Sequence, residues 1–223
     1  QIARMFDYGL ACTRPNGSLN ALHDCTGERT GRHPNAPGQQ RADFRRDAGL
    51  PDALPPTAQC FPDAGQVFLR DRWDEDATYL TFDATTWGGS HCHLSRNAVQ
   101  LHALRRALLV DPGTLTYEGS DPLSAHGKST RAHNTLSLHG WNQGEVDPKL
   151  TTALHADGFD YVMSEYEGPY WSGAYRWSFD QGRGDARFGS HRRTLFWAHA
   201  RAIIVIDSLY REPAHLPEAP AEA

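Results

Sequence analysis

WGGSHCHLSRNAVQLHALRRALLVDPGTLTYEGSDPLSAHGKSTRAHNTLSLHGW, residues 87–141, decides how the rest of the chain reads. Its apolar positions alternate or run in short blocks, NAVQLHAL at 97–104, ALLVD at 107–111 and HNTLSLHG at 133–140, separated by turn residues, as in β-strands. His91 and His93 stand two apart, Asp111 closes an apolar run, and His133-Asn134 opens another. If HCH lies on a strand, both imidazoles point to one face. Four side chains able to hold a metal or move a proton are then expected at strand ends, as one site.

Outward from this stretch the strand texture continues. GQVFLR at 65–70 and ATYLTFD at 77–83 precede it; LTTALHADG, FDYVMSEYEG, RRTLFWAHA and RAIIVIDSL follow. Nine short candidates with no intervening helix predict a mainly β fold, an antiparallel β-sandwich that is incomplete. Before the strands, IARMFDYGLAC at 2–12 has helical spacing that the turn at Pro15-Gly17 ends. Residues 25–60, rich in Arg, Pro, Gly, Asp and Gln, read as an irregular linker. The final REPAHLPEAPAEA reads as a truncation or a disordered tail, and the chain as cut from a longer one.

The 223 residues are enough for a buried core. A net charge of −5, from 22 basic and 27 acidic residues, offers no footprint for nucleic acid or an anionic membrane. No stretch approaches the roughly 18 apolar residues of a membrane span. Cys12, Cys25, Cys60 and Cys92 lack C-x-x-C spacing; a disulfide among the first three is left open.

Each motif also has an ordinary reading. H-x-H is often a solvated pair, Asp111-Pro112-Gly113 a strand end and turn, and His133-Asn134 a satisfied histidine beside a turn residue. Together they supply two imidazoles, a carboxylate and a spare histidine, the set zinc takes when one position is left to water. A tight hairpin turning at Arg105-Arg106 would pair Asp111 near Gln100, so the site closes only if the chain between His93 and Asn97 bends back.

The ordered run HCHLS, ALLVDPGTLTYE and STRAHNT resembles the C-terminal β-sandwich domain of heparinase II/III-like polysaccharide lyases. FPDAGQVFLRDRWDEDATYLTFD is similar to that domain's first strands, and ARMFDYGLACTRPNGSLNALHD to the last helix of the family's α-toroid domain. The resemblance implies domains at 1–24 (toroid remnant), 25–60 (linker) and 61–223 (sandwich). It implies zinc on His93, Asp111 and His133, with His91 facing substrate. Ser95 stands where many relatives carry an Asp that orients a histidine; it can still hydrogen-bond but offers no charge, so weaker metal affinity is expected. Arg105 stands where Gly is common, predicting a different turn. The implied activity is β-elimination at uronic acids of an acidic polysaccharide, such as a glycosaminoglycan or alginate, in a bacterial periplasm or cell envelope. Tyr117 is a weaker candidate for the cleft, more readily a packing residue. Arg131, Lys128 and Arg70 are candidate contacts for acidic groups, and Trp87 and Trp141 candidate stacking platforms. Two alternatives stand beside it: a non-catalytic or carbohydrate-binding sandwich with a stabilising zinc, and a zinc hydrolase, for which no H-E-x-x-H spacing exists.

Overall fold

The computed structural model describes residues 2–25, 37–51, 53–173 and 185–210. The final Pro- and Glu-rich stretch and part of the expected linker lie outside them. Two antiparallel sheets form the body. The first contains β1 (Ala58–Phe61), β2 (Gln66–Arg70), β3 (Tyr79–Asp83), β4 (Ala98–Ala103) and β5 (Arg106–Leu109), paired in chain order. The second contains β6 (Asn142–Gln143), β7 (Lys149–Ala156), β8 (Phe159–Trp171), β9 (Ala186–Ala198) and β10 (Ala202–Tyr210); its order is β10-β9-β8-β6, with β7 also on β8. Val67, Leu69, Leu80, Phe82 and Val99 of the first sheet meet Val162, Leu195 and Trp197 of the second in one buried cluster. Removing such side chains from water drives sheet packing, so the expected sandwich is what forms.

The other face of the first sheet is covered by α1 (Ile2–Ala11). Ala11 packs there with Phe68 and Tyr79, and Tyr8 meets Phe61 and Phe68 edge-on. Strand β2 is therefore buried on both sides. Arg70, proposed above as a sugar contact, is spent on this junction: it is 4% exposed, donates to the carbonyls of Ala11 and Thr13, and lies 3.7 Å from the Trp73 ring centre. Its charge is withdrawn from solvent.

Three expectations are corrected. The linker contains a second helix, α2 (Pro37–Asp47), whose Phe44 stacks on Phe6 of α1 at 4.6 Å. Along the chain between β5 and β6 lies α3 (Pro122–Lys128), started by Asp121, whose carboxylate accepts from the Leu123 amide with Pro122 following; this cap is legible in the DP pair. Segment 133–140 is not a strand, because its polar side chains bond to backbone elsewhere: Asn134 to Val110 O and Ser137 to Trp141 O, with a left-handed turn at His139 and Gly140. All four cysteines are free. Among the described residues, no helix is long and apolar enough to cross a membrane.

The hairpin of β4 and β5 turns at Leu104 and Arg105, both with positive φ, and pairs Leu101 with Leu109. Arg105 meets Glu75 and Asp76 there. The other closing condition is met as well: Asn97 has φ 62°, and Ala98 N donates to Ser95 O, bending the chain after His93. From the second sheet, Arg193 donates to the carbonyls of Asn97 and Asn134, while its other nitrogens and His191 engage Asp207. This clamp holds both histidine-bearing loops. Arg193→Met is expected to cost about 3 kcal/mol by leaving buried partners unpaired, seen as a melting midpoint about 6–12 °C lower.

Asp207 gives the same clamp a pH dependence. Burial disfavours its ionised form, but hydrogen bonds from His191 and Arg193 outweigh that and hold it well below the usual carboxylate range. The folded state therefore binds fewer protons at this group than the unfolded chain. The contribution is complete above about pH 4, the ordinary carboxylate value, and is lost as pH falls further. Acid unfolding followed by circular dichroism should be shifted toward neutral pH by Asp207→Asn.

Candidate metal centre

His93, Asp111 and His133 come from three segments far apart in the chain, and all three are buried. Their ligand atoms all lie within 4.8 Å of one another. His93 sits in the loop before β4, Asp111 just past β5, and His133 immediately after the 3-10 turn Thr130–Ala132. The D-P-G turn and the ligand are one device: Asp111 Oδ1 accepts from the Gly113 amide at 2.8 Å, leaving Oδ2 at 3.5 Å from His133 Nε2. Gly113 is required there. Its φ is 56°, and a Cβ would lie 2.3 Å from the Cys25 carbonyl.

The proton positions follow from the outer partners. His133 Nδ1 donates to the Ser129 carbonyl at 2.7 Å, and His93 Nε2 to the Asp24 carboxylate at 2.9 Å. Burial lowers the pKa of His93 to about 3, against the raising effect of Asp24, and that of His133 to about 4, against Ser129. Both rings are thus neutral at pH 7, with one proton each, directed outward. His93 Nδ1 and His133 Nε2 then face each other at 3.2 Å with a lone pair on each. Burial pushes Asp111 up to about 7, only partly offset by the Gly113 amide. Two imidazole lone pairs and a buried carboxyl converging on one point fit a divalent cation, whose charge would satisfy all three.

His91 and His93 do not lie on a strand, contrary to the expectation; the HCH segment is turn and loop. Their side chains part company, 74% exposed for His91 and 1% for His93, yet both bond to Asp24. Asp24, which the motif reading passed over, accepts from His91 Nδ1 at 2.7 Å, His93 Nε2 at 2.9 Å and Lys128 Nζ at 2.9 Å. Burial raises its pKa, but those three donors prevail and hold it below the usual value. Only the adjacent His23-Asp24 pair within the helix-like segment signalled it. Ser95, at the position where many relatives carry Asp, donates to Asp83 at 3.4 Å rather than to a histidine of the cluster.

The remaining candidates separate. Lys128 is buried, its ammonium held by Asp24 and Ser90 O, so it braces the site rather than offering a charge to solvent. Arg131 is exposed and lines an open groove of about 440 Å³ with His133, Thr135, Ser137 and His139. Tyr117 is 58% exposed, which rules out the core packing first preferred for it, and is not among the groove's lining residues. Trp141 is half-buried beside that groove with Arg187 5.2 Å from its ring centre; Trp87 lies under Arg96 at 5.3 Å.

Residues 53–216 match the family model described as Heparinase II/III-like, C-terminal. No curated protein matches the chain. Among solved structures, it is similar to one described as Heparinase III, with a TM-score of 0.73 and 18% identity over 92% of this chain. A heparinase III gene product gives 0.72 and 17% over 93%. Heparan sulfate lyase HepC from Pedobacter heparinus gives 0.69 and 18% over 89%. At such identity the likeness is one of fold. The chain spans 33%, 32% and 30% of the length of those three structures, respectively.

Proposed function

Since the chain belongs to the heparinase II/III-like family through its C-terminal domain, we propose that it is the zinc-bearing sandwich part of a lyase that cleaves an acidic polysaccharide by β-elimination at a uronic acid. The observation that carries this reading is the buried His93, Asp111 and His133 cluster with a solvent-facing imidazole, His91, beside it. Elimination removes the proton at C5, forms the C4–C5 double bond, and expels the C4 oxygen, which takes up a proton. The largest demand is to stabilise the charge that develops toward the sugar carboxylate.

His91 is the group on this chain suited to proton transfer or carboxylate contact: its imidazole projects into solvent, with Nδ1 held by the Asp24 carboxylate. Arg131 at the groove is placed to pair with a carboxylate or sulfate by a two-pronged hydrogen bond. Tyr117, exposed but outside the groove's lining, is a weaker candidate that would offer a hydroxyl to a longer substrate. The resemblance implies further acid–base groups from toroid helices. A bound zinc would supply fixed positive charge and tie the three ligand segments together. Because its candidate ligands are buried, a bound ion would serve as a staple, which disfavours a hydrolase reading in which the metal supplies an activated water. The same burial favours, as a second reading, a non-catalytic carbohydrate-binding sandwich stabilised by its metal. The proposed setting is a bacterial periplasm or cell envelope.

The test is to join the chain to an α-toroid domain of the implied kind and offer it glycosaminoglycans and alginate. Ultraviolet absorbance from unsaturated sugar ends is expected on at least one; silence across a broad acidic panel contradicts the lyase reading.

A further inference from the structure

Both oxygens of Asp24 are in use, and their partners differ in a telling way. Oδ1 serves a ring that is wholly buried, His93, and Oδ2 serves one that is mostly in solvent, His91, together with the buried Lys128 ammonium. An exposed histidine needs no partner to satisfy it, so a 2.7 Å hydrogen bond on His91 restricts orientation rather than relieving burial. The Asp24 amide also donates to the His91 carbonyl at 3.2 Å, fastening the backbone of the same residue. Lys128 balances the carboxylate's charge, so Asp24 stays an acceptor without either ring having to become cationic.

We propose that Asp24 is a positioning residue that sets the tautomers of both histidines at once. It keeps the His91 proton on Nδ1, turning a basic Nε2 outward toward substrate. It keeps the His93 proton on Nε2, turning Nδ1 toward Asp111 and His133. One carboxylate thereby links the metal pocket to the group that faces the sugar, as the carboxylate of a Ser-His-Asp triad fixes its imidazole. The assignment deepens the lyase reading and rests on it only for what His91 meets.

The experiment is nitrogen-15 NMR of the histidine rings in the 223-residue chain loaded with zinc ion, with zinc affinity measured by chelator competition. In the natural chain His91 should show a protonated Nδ1 and a bare Nε2. Asp24→Asn should abolish that preference and weaken zinc binding about 10–100-fold, whereas His91→Ala should leave zinc affinity unchanged. A His91 proton found on Nε2 in the natural chain overturns the proposal, and this holds even if Asp24→Asn fails to fold. Unchanged ring signals and unchanged affinity in Asp24→Asn do so too. The predicted tautomers together with no unsaturated products from the toroid-joined protein would sink the lyase reading and leave Asp24's role standing. Elimination activity with His91 in the other tautomer would do the reverse.

Discussion

His93→Ala is expected to weaken zinc binding by more than about a thousandfold, about 4 kcal/mol at ~1.4 kcal/mol per tenfold. The side chain supplies one of three converging ligand atoms, and its replacement leaves a methyl group facing His133 Nε2 across the gap. The loss has a second readout. Zinc at about a thousand times its dissociation constant stabilises a folded chain by about 4 kcal/mol, or about 8–16 °C in melting midpoint for a protein of this size. That increment should appear in the natural chain and vanish in His93→Ala. An equal increment in both would mean the ion binds elsewhere.

The second large effect concerns turnover. In the toroid-joined protein, His91→Ala should lower kcat by about 10²–10⁴-fold, the usual range for a lost acid–base group. KM should change little, because the groove that Arg131 lines does not include His91 and is untouched. Zinc content should also be unchanged, which separates this variant from His93→Ala. A non-catalytic sandwich predicts the opposite, with any turnover of the joined protein surviving the substitution.

Much of the architecture was legible because strand texture is a local property: short alternating or continuous apolar runs bounded by turn residues mark strands wherever they lie. β8 is the clearest case, with every second residue from Asp160 to Tyr170 buried. The candidate ligands were legible in part: the residues offered His91, His93, Asp111 and His133 together, and only the family resemblance set His91 apart from the three that the fold brings within 4.8 Å of one another. What escaped were consequences of long-range contact. Asp24 lies 67 and 69 positions from the histidines it holds, and nothing in its neighbours along the chain announces those partners. Lys128 and Arg70 looked like surface cations, but each is buried against an acceptor supplied by another element. Helix α3 was missed because seven residues carry too little periodicity to outweigh flanking turn residues, leaving only its Asp-Pro cap as a sign. The HCH pair shows the reverse error: its spacing suited a strand, but the loop before β4 delivers both rings to Asp24 without any pleat.

X-ray absorption at the zinc edge of the chain loaded with one equivalent of metal tests most directly whether three distant segments meet at one ion. Two imidazole nitrogens at about 2.0–2.1 Å and a carboxylate oxygen at about 2.0–2.2 Å are predicted, with the pattern lost in His93→Ala. A sulfur shell at about 2.3 Å, as Cys25 or Cys92 would give, or failure to hold the ion at all, would contradict the account.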